Sequence, residues 1–285
     1  MRLVTTNRAA SAVVLAVLIN AASLCLAATP PLAPPTLASG YKMMYDLDFN
    51  RAHQVFLTWQ QQHPEDPLGP ASDGAGYLFS ELHRLGVLEA QFYTDDKAFD
   101  ARKKMTPDPE LKKQFEAALN LAEQRANAIL AKSPKDSDAL LALTMVSGLK
   151  ADYAALIEKR NMASLSLTKE ASTRAQTLLA ADPNRYDAYV ATGIGKYIIG
   201  SMAAPVRWLL RVGGFQGDKN AGIEELKLTA QKGNYLRPFA KILLAIAYVR
   251  DKDKPKAREI LSSLRDEFPN NPLFSREIAR LDSGN

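Results

Sequence analysis

Cysteine is almost missing from this chain of 285 residues: Cys25 stands alone, inside the apolar run AASAVVLAVLINAASLCLAA near the N-terminus. The body of the chain therefore has no thiolate for disulfides, metal sites or cysteine catalysis, and its core must hold without covalent staples. Histidine is scarce as well. His53, His63 and His83 show no recognisable ligand spacing and no H-E-x-x-H, so no metal site is assigned. A basic stripe, finger spacings and aromatic-studded strands are lacking, which removes nucleic acid from the partners. No segment alternates with period two for long enough to make a strand. The glycine-rich GIGKYIIG, residues 193–200, lacks the G-x-x-x-x-G-K-[ST] spacing of a phosphate loop and follows no strand, so it reads as close helix packing. With no nucleophile elbow either, the sequence offers no catalytic residue and implies no cofactor. A hydrolase on a helical scaffold is the weakest of three functional readings.

What the N-terminus does have is a leader. MRLVTTNR carries Arg2 and Arg8 and no acid, and an apolar run ending in small residues follows. This is the layout of a secretory signal peptide, residues 1–28, and it predicts an exported protein. Leu24 stands where lipidation of Cys25 would require a small residue, so cleavage near Ala28 is the expectation rather than a lipid anchor. Loss of the two arginines lowers the formal charge from +5 to +3, so the working chain is only mildly basic. Residues 29–40, TPPLAPPTLASG, read as an extended proline-rich linker. The folded domain is expected over 41–285.

Within that domain the apolar residues recur at three and four, the helical period, as in LKKQFEAALNLAEQRANAILAKSP. The fold class is all-α. A longer period underlies it. Pro64, Pro134, Pro183 and Pro269 each end a helical run, and twelve residues before each stands an alanine: Ala52, Ala122, Ala171 and Ala257. Four and seven residues after the alanines come Phe56 and Trp59, Ala126 and Ile129, Ala175 and Leu178, Leu261 and Leu264. The small residue lets two helices approach, the larger ones fill the groove, and proline ends the helix because it has no N–H to donate. The pattern resembles the second helix of a tetratricopeptide repeat, A-x3-F and then P. The last unit is the fullest match, with Leu244, Ala245 and Tyr248 at the first-helix positions.

The period is uneven. Pro134 and Pro183 are 49 residues apart, which predicts lengthened helices between them. The apolar segment YLFSELHRLGVLEAQF, residues 77–92, reads as a helix out of register, with Asp73-Gly74 just ahead of it. An irregular array is the expectation, either stacked as an α-solenoid or closed on itself as a compact helical array. In APVRWLLRVGGFQGDKNAGIEEL, residues 204–226, Pro205 should open a short helix and Asp218 should cap the next, in which Gly222 and Leu226 take the alanine and large-residue positions. The short helix 206–212 reads first as a packing helix, with Gly213, Gly214 and Gly217 supplying positive φ. The other reading rests its apolar face on a membrane leaflet, with Arg207 and Arg211 meeting phosphates.

Residues 187–248 also resemble the eukaryotic mitochondrial outer-membrane tetratricopeptide family named for inclusion-body clearance, at Gly193, Gly214, Phe215, Gly217, Asp218, Gly222 and Leu226. That resemblance implies a helical-repeat protein that works by binding, near a membrane, and it supplies no catalytic residues. The leader departs from an organelle-surface protein. The sequence thus predicts an exported scaffold for protein or peptide partners, with a peripheral membrane module as the alternative. Tyr189, Lys196, Arg207, Trp208, Arg211 and Tyr248 are the candidate partner-binding residues.

Overall fold

The computed structural model describes residues 35–89 and 105–283, and among these every regular element is helical. The leader expected at 1–28 lies outside the described residues, as do residues 29–34 of the linker and 90–92 at the end of the apolar segment.

The chain runs through α1 (Leu37–Tyr45), α2 (Phe49–Gln62), α3 (Leu68–Arg84), α4 (Pro109–Leu130), α5 (Ser137–Leu156) and α6 (Asn161–Ala181). A 3-10 turn (Tyr186–Ala188) leads into α7 (Tyr189–Ser201), α8 (Ala204–Val212), α9 (Lys219–Lys232), α10 (Arg237–Arg250), α11 (Lys254–Glu267) and α12 (Pro272–Asp282). Aspartates start many of them. The side chains of Asp48, Asp108, Asp136, Asp218 and Asp253 each accept a hydrogen bond from a first-turn N–H, which satisfies donors that the helix itself cannot. Pro64, Pro134, Pro183 and Pro269 follow the ends of α2, α4, α6 and α11, as the spacing predicts.

Each helix packs on its sequence neighbour, α8 excepted, and α3 also packs on α5. The result is an irregular helical-repeat array of antiparallel pairs: α1–α2, α3–α4, α5–α6, α7–α9 and α10–α11, with α12 as a final cap. The spaced alanines sit at the contacts. Ala52, Ala122 and Ala257 are fully buried and Ala171 is 2% exposed, with Phe56, Ala126, Ala175, Leu178 and Leu264 at 0% beside them. The α5–α6 pair is the lengthened one, at 20 and 21 residues. Helix α5 is apolar on nearly every side and long enough to cross a membrane, yet most of it is buried inside the array, the position of a core helix.

The array closes across its inner face. The Tyr45 hydroxyl donates to the Tyr235 carbonyl (3.3 Å), and the Tyr45 ring packs on Phe268 at 5.6 Å. Asn271 Nδ2 donates to the Tyr45 carbonyl (2.8 Å), Tyr41 stacks on Tyr235 at 5.3 Å, and Phe79 meets Phe239 edge-on at 5.7 Å. The first helix of the described chain is thus fixed by the last two pairs.

Three expectations change. Residues 37–40 are not extended linker but the first turn of α1: the Thr36 and Ser39 side chains form a reciprocal capping box, and Leu37 is buried. The apolar helix begins at Leu68, so Asp73-Gly74 lies inside it rather than before it. It tolerates Gly69, Gly74 and Gly76 because neighbouring side chains press on the positions their Cβ atoms would take. Finally, α8 does not pack.

Candidate functional site

Helices α7 and α9 meet backbone to backbone. A Cβ on Gly222 would stand 2.6 Å from Tyr197 N and 2.7 Å from Gly193 O, and one on Gly217 would stand 2.5 Å from Gly200 N. Asp218 N donates to Lys196 O (3.1 Å), which joins the end of α7 to the start of α9. These glycines explain GIGKYIIG as close packing, and they also explain α8. Once the two ends are pinned together, the intervening residues can only bulge outward.

In that excursion no residue is buried. Trp208 is 68% exposed, Leu209 65% and Val212 71%, while Arg207 and Leu210 face the body. Arg207 Nη1 donates to Gly200 O (3.0 Å), and Lys169 Nζ donates to Gly213 O (3.1 Å) while lying over the Phe215 ring at 4.7 Å. The expectation of a packing helix therefore fails, because Trp208, Leu209 and Val212 point outward and only Arg207 and Leu210 turn toward the body. Of the three glycines expected at positive φ, only Gly214 adopts it, at 79°. Arg211 is exposed, but Arg207 is already committed to a carbonyl.

The other candidate residues are scattered. Tyr189 is half-buried and stacks on Tyr186, and Lys196 pairs with Glu225 at 2.5 Å between α7 and α9. Tyr248 is half-buried with Lys256 over its ring. None of the three lines the inner-face cavity described next, and the structure does not bring them together.

What the first helices do bring together is a cavity of about 80 Å³ on the inner face, walled by α1, α3, α5, α6, α7 and α10. Most of its wall is apolar, from Leu141, Met145, Leu149, Ile194 and Phe239 among others. Two carboxyl groups reach it. Asp187 is held: its carboxylate accepts from the backbone N–H groups of Asn234 (3.0 Å), Tyr235 (3.3 Å) and Leu236 (2.9 Å), capping the approach to α10. Burial pushes its carboxyl above the ordinary value, and those three donors pull part of the way back. Asp152, on α5, is different. Among the described residues it has no hydrogen bond and no ion pair, and burial alone pushes its carboxyl from 3.8 up to about 7. The Tyr41 hydroxyl on the same wall is buried and makes no hydrogen bond, although the Ser72 hydroxyl, which donates to Leu68 O, lies beside it. Burial raises the Tyr41 and Tyr45 phenols well above their usual range.

Sequence reasoning missed this site. Its traces are Gly148 and Asp152, four apart in VSGLKADY within a mostly apolar helix, where a single glycine and an acid beside Lys150 draw no notice. Elsewhere, His53 is occupied with Asp73 (2.5 Å) and stacks on Tyr77 at 4.1 Å. Among the described residues no group of three or more His, Cys, Asp or Glu could hold a metal ion. Compared with known proteins, the chain matches no family model and no curated sequence.

Proposed function

We propose that this protein is a non-enzymatic scaffold of the tetratricopeptide type that binds protein or peptide partners at its inner face. The observation that carries the reading is the inner-face cavity, where the first helices of the repeats converge on apolar walls and a carboxyl group without a partner. Recognition sites are commonly concave, mostly apolar and supplied with a few convergent polar groups. Selection from a displayed random peptide library tests it. Peptides that bind the full chain should lose at least tenfold in affinity for Gly148→Leu, which fills the cavity. Selected peptides that bind both proteins equally overturn the inner-face reading.

A second reading has its own support. Helix α8 presents Trp208, Leu209 and Val212 outward, carries Arg211 beside them, and has no acid between Ser201 and Gly217. Helices with this pattern lie in the headgroup layer of anionic membranes. The chain should float with phosphatidylglycerol vesicles and lose flotation in Trp208→Ser/Leu209→Ser, with thermal stability unchanged. Flotation that survives the double change removes α8 from the account. Both readings sit with export of the chain, which N-terminal sequencing of the mature protein tests at Ala28.

A further inference from the structure

Three costly features meet at one place on α5 and its surroundings. The first is Gly148. A Cβ there would meet nothing within 4 Å, so no close approach requires glycine, and glycine is among the poorest residues in a helix interior. The second is Asp152, one turn further along the same face, with its carboxyl unpartnered among the described residues. The third is the buried Tyr41 hydroxyl, which also makes no hydrogen bond. All three line the same cavity. Packing explains none of them. Features that break local rules without a compensating contact in the free protein mark functional positions.

The chemistry of the wall sets what would compensate them. A single carboxylate in apolar surroundings gains most from a full positive charge that brings its own hydrogen-bond donors. Asp187 is already engaged with three backbone N–H groups, and no group of three His, Cys, Asp or Glu stands among the described residues to hold a metal ion. The space of about 80 Å³ equals roughly two to three waters, enough for a short aliphatic stem. The stem would lie against Leu141, Met145 and Leu149, on the α5 turns that carry Gly148 and Asp152.

We propose that the cavity receives a primary ammonium group on a short aliphatic stem, with the ammonium on Asp152 and the stem in the space left by Gly148. The chemistry is that of a lysine side chain on a peptide partner or of a free alkylamine. The assignment rests on the inner-face binding reading and names what that face recognises.

The test uses the full chain, with n-butylamine and n-butanol titrated by calorimetry or ligand-observed NMR at pH 5 and pH 8. The amine should bind at least tenfold tighter than the alcohol at pH 8. Its affinity should rise by about tenfold or more from pH 5 to pH 8, as Asp152 gives up its proton. Asp152→Asn should abolish both the preference and the pH dependence, which separates its part from that of Asp187 on the same wall. Gly148→Leu should abolish binding of amine and alcohol alike while the helical circular dichroism is retained. A capped pentapeptide with lysine at its centre, compared with its norleucine twin, separates the sources. Tighter binding of the lysine form assigns the ammonium to a peptide partner, and binding by butylamine alone assigns it to a small amine. Equal binding of amine and alcohol overturns the ammonium proposal and leaves inner-face binding standing. No binding of either, or wild-type binding by Gly148→Leu, overturns both.

Discussion

Asp152 sets stability against recognition. In the unfolded chain its carboxyl titrates near 3.8, and in the folded protein near 7. Between those values the unfolded chain has released its proton while the folded one keeps it, so the unfolded state binds fewer protons and stability falls as pH rises. The penalty is absent below about pH 4 and reaches its plateau above about pH 7. Asp152→Asn should therefore match the wild type near pH 4 in urea denaturation and exceed it at pH 8. Asp152→Leu should gain about 1 kcal/mol at pH 8, the lower end for a polar group without a partner, because Asp152 is half-buried. A gain that does not grow between those pH values would place the carboxyl in water. At this scale the sequence was legible for Ala52, Ala122, Ala171 and Ala257, because a close helix contact admits only a small residue at a fixed register. It was not legible for Gly148 and Asp152, because each is ordinary by itself and acquires meaning only when other helices arrive around it.

Among the elements, the α7–α9 pair and the α8 excursion respond in opposite ways. Gly222 has backbone against it, and backbone cannot turn aside as a flexible side chain can. Gly222→Leu should cost about 3 kcal/mol, the upper end for overpacking, and should lower the cooperativity of the thermal transition around α9. Replacing residues 202–216 by a short glycine-rich link should change stability by less than about 1 kcal/mol, because no α8 residue is buried and the flanking ends already touch. Equilibrium denaturation of the two variants checks both. The sequence foretold the existence of α8, its opening at Pro205 and the Asp218 cap on α9. It did not foretell which way α8 faces. An amphipathic pattern fixes the apolar side of a helix and leaves open whether protein or another medium covers it. The same gap affected Arg207, whose spacing from Arg211 suggested a shared ligand although it bonds to its own chain.

For the whole molecule, closure changes how the repeats share stability. An open stack is a sum of units and neighbour contacts, and damage at one end stays there. Here α1 bears on α11 and α12 through Phe268 and Asn271. Tyr45→Ala should remove about 3–5 kcal/mol, and hydrogen exchange should show lost protection in α11 and α12 as well as in α1. Loss confined to α1 and α2 would describe an open stack. The uneven spacing of the prolines hinted at an irregular array, and the aromatic contacts that close it join residues too distant in the chain for periodicity to reveal.

The bond from Asn271 to Tyr45 spans 226 positions of the chain. On the ribosome, α1 can therefore settle on α2 early, but it lacks the rest of its seat until 226 further residues have been made. Until then Tyr41, Met44 and Tyr45 are a greasy segment in search of cover. During synthesis that side of α1 depends on other cover until Phe268 and Asn271 exist.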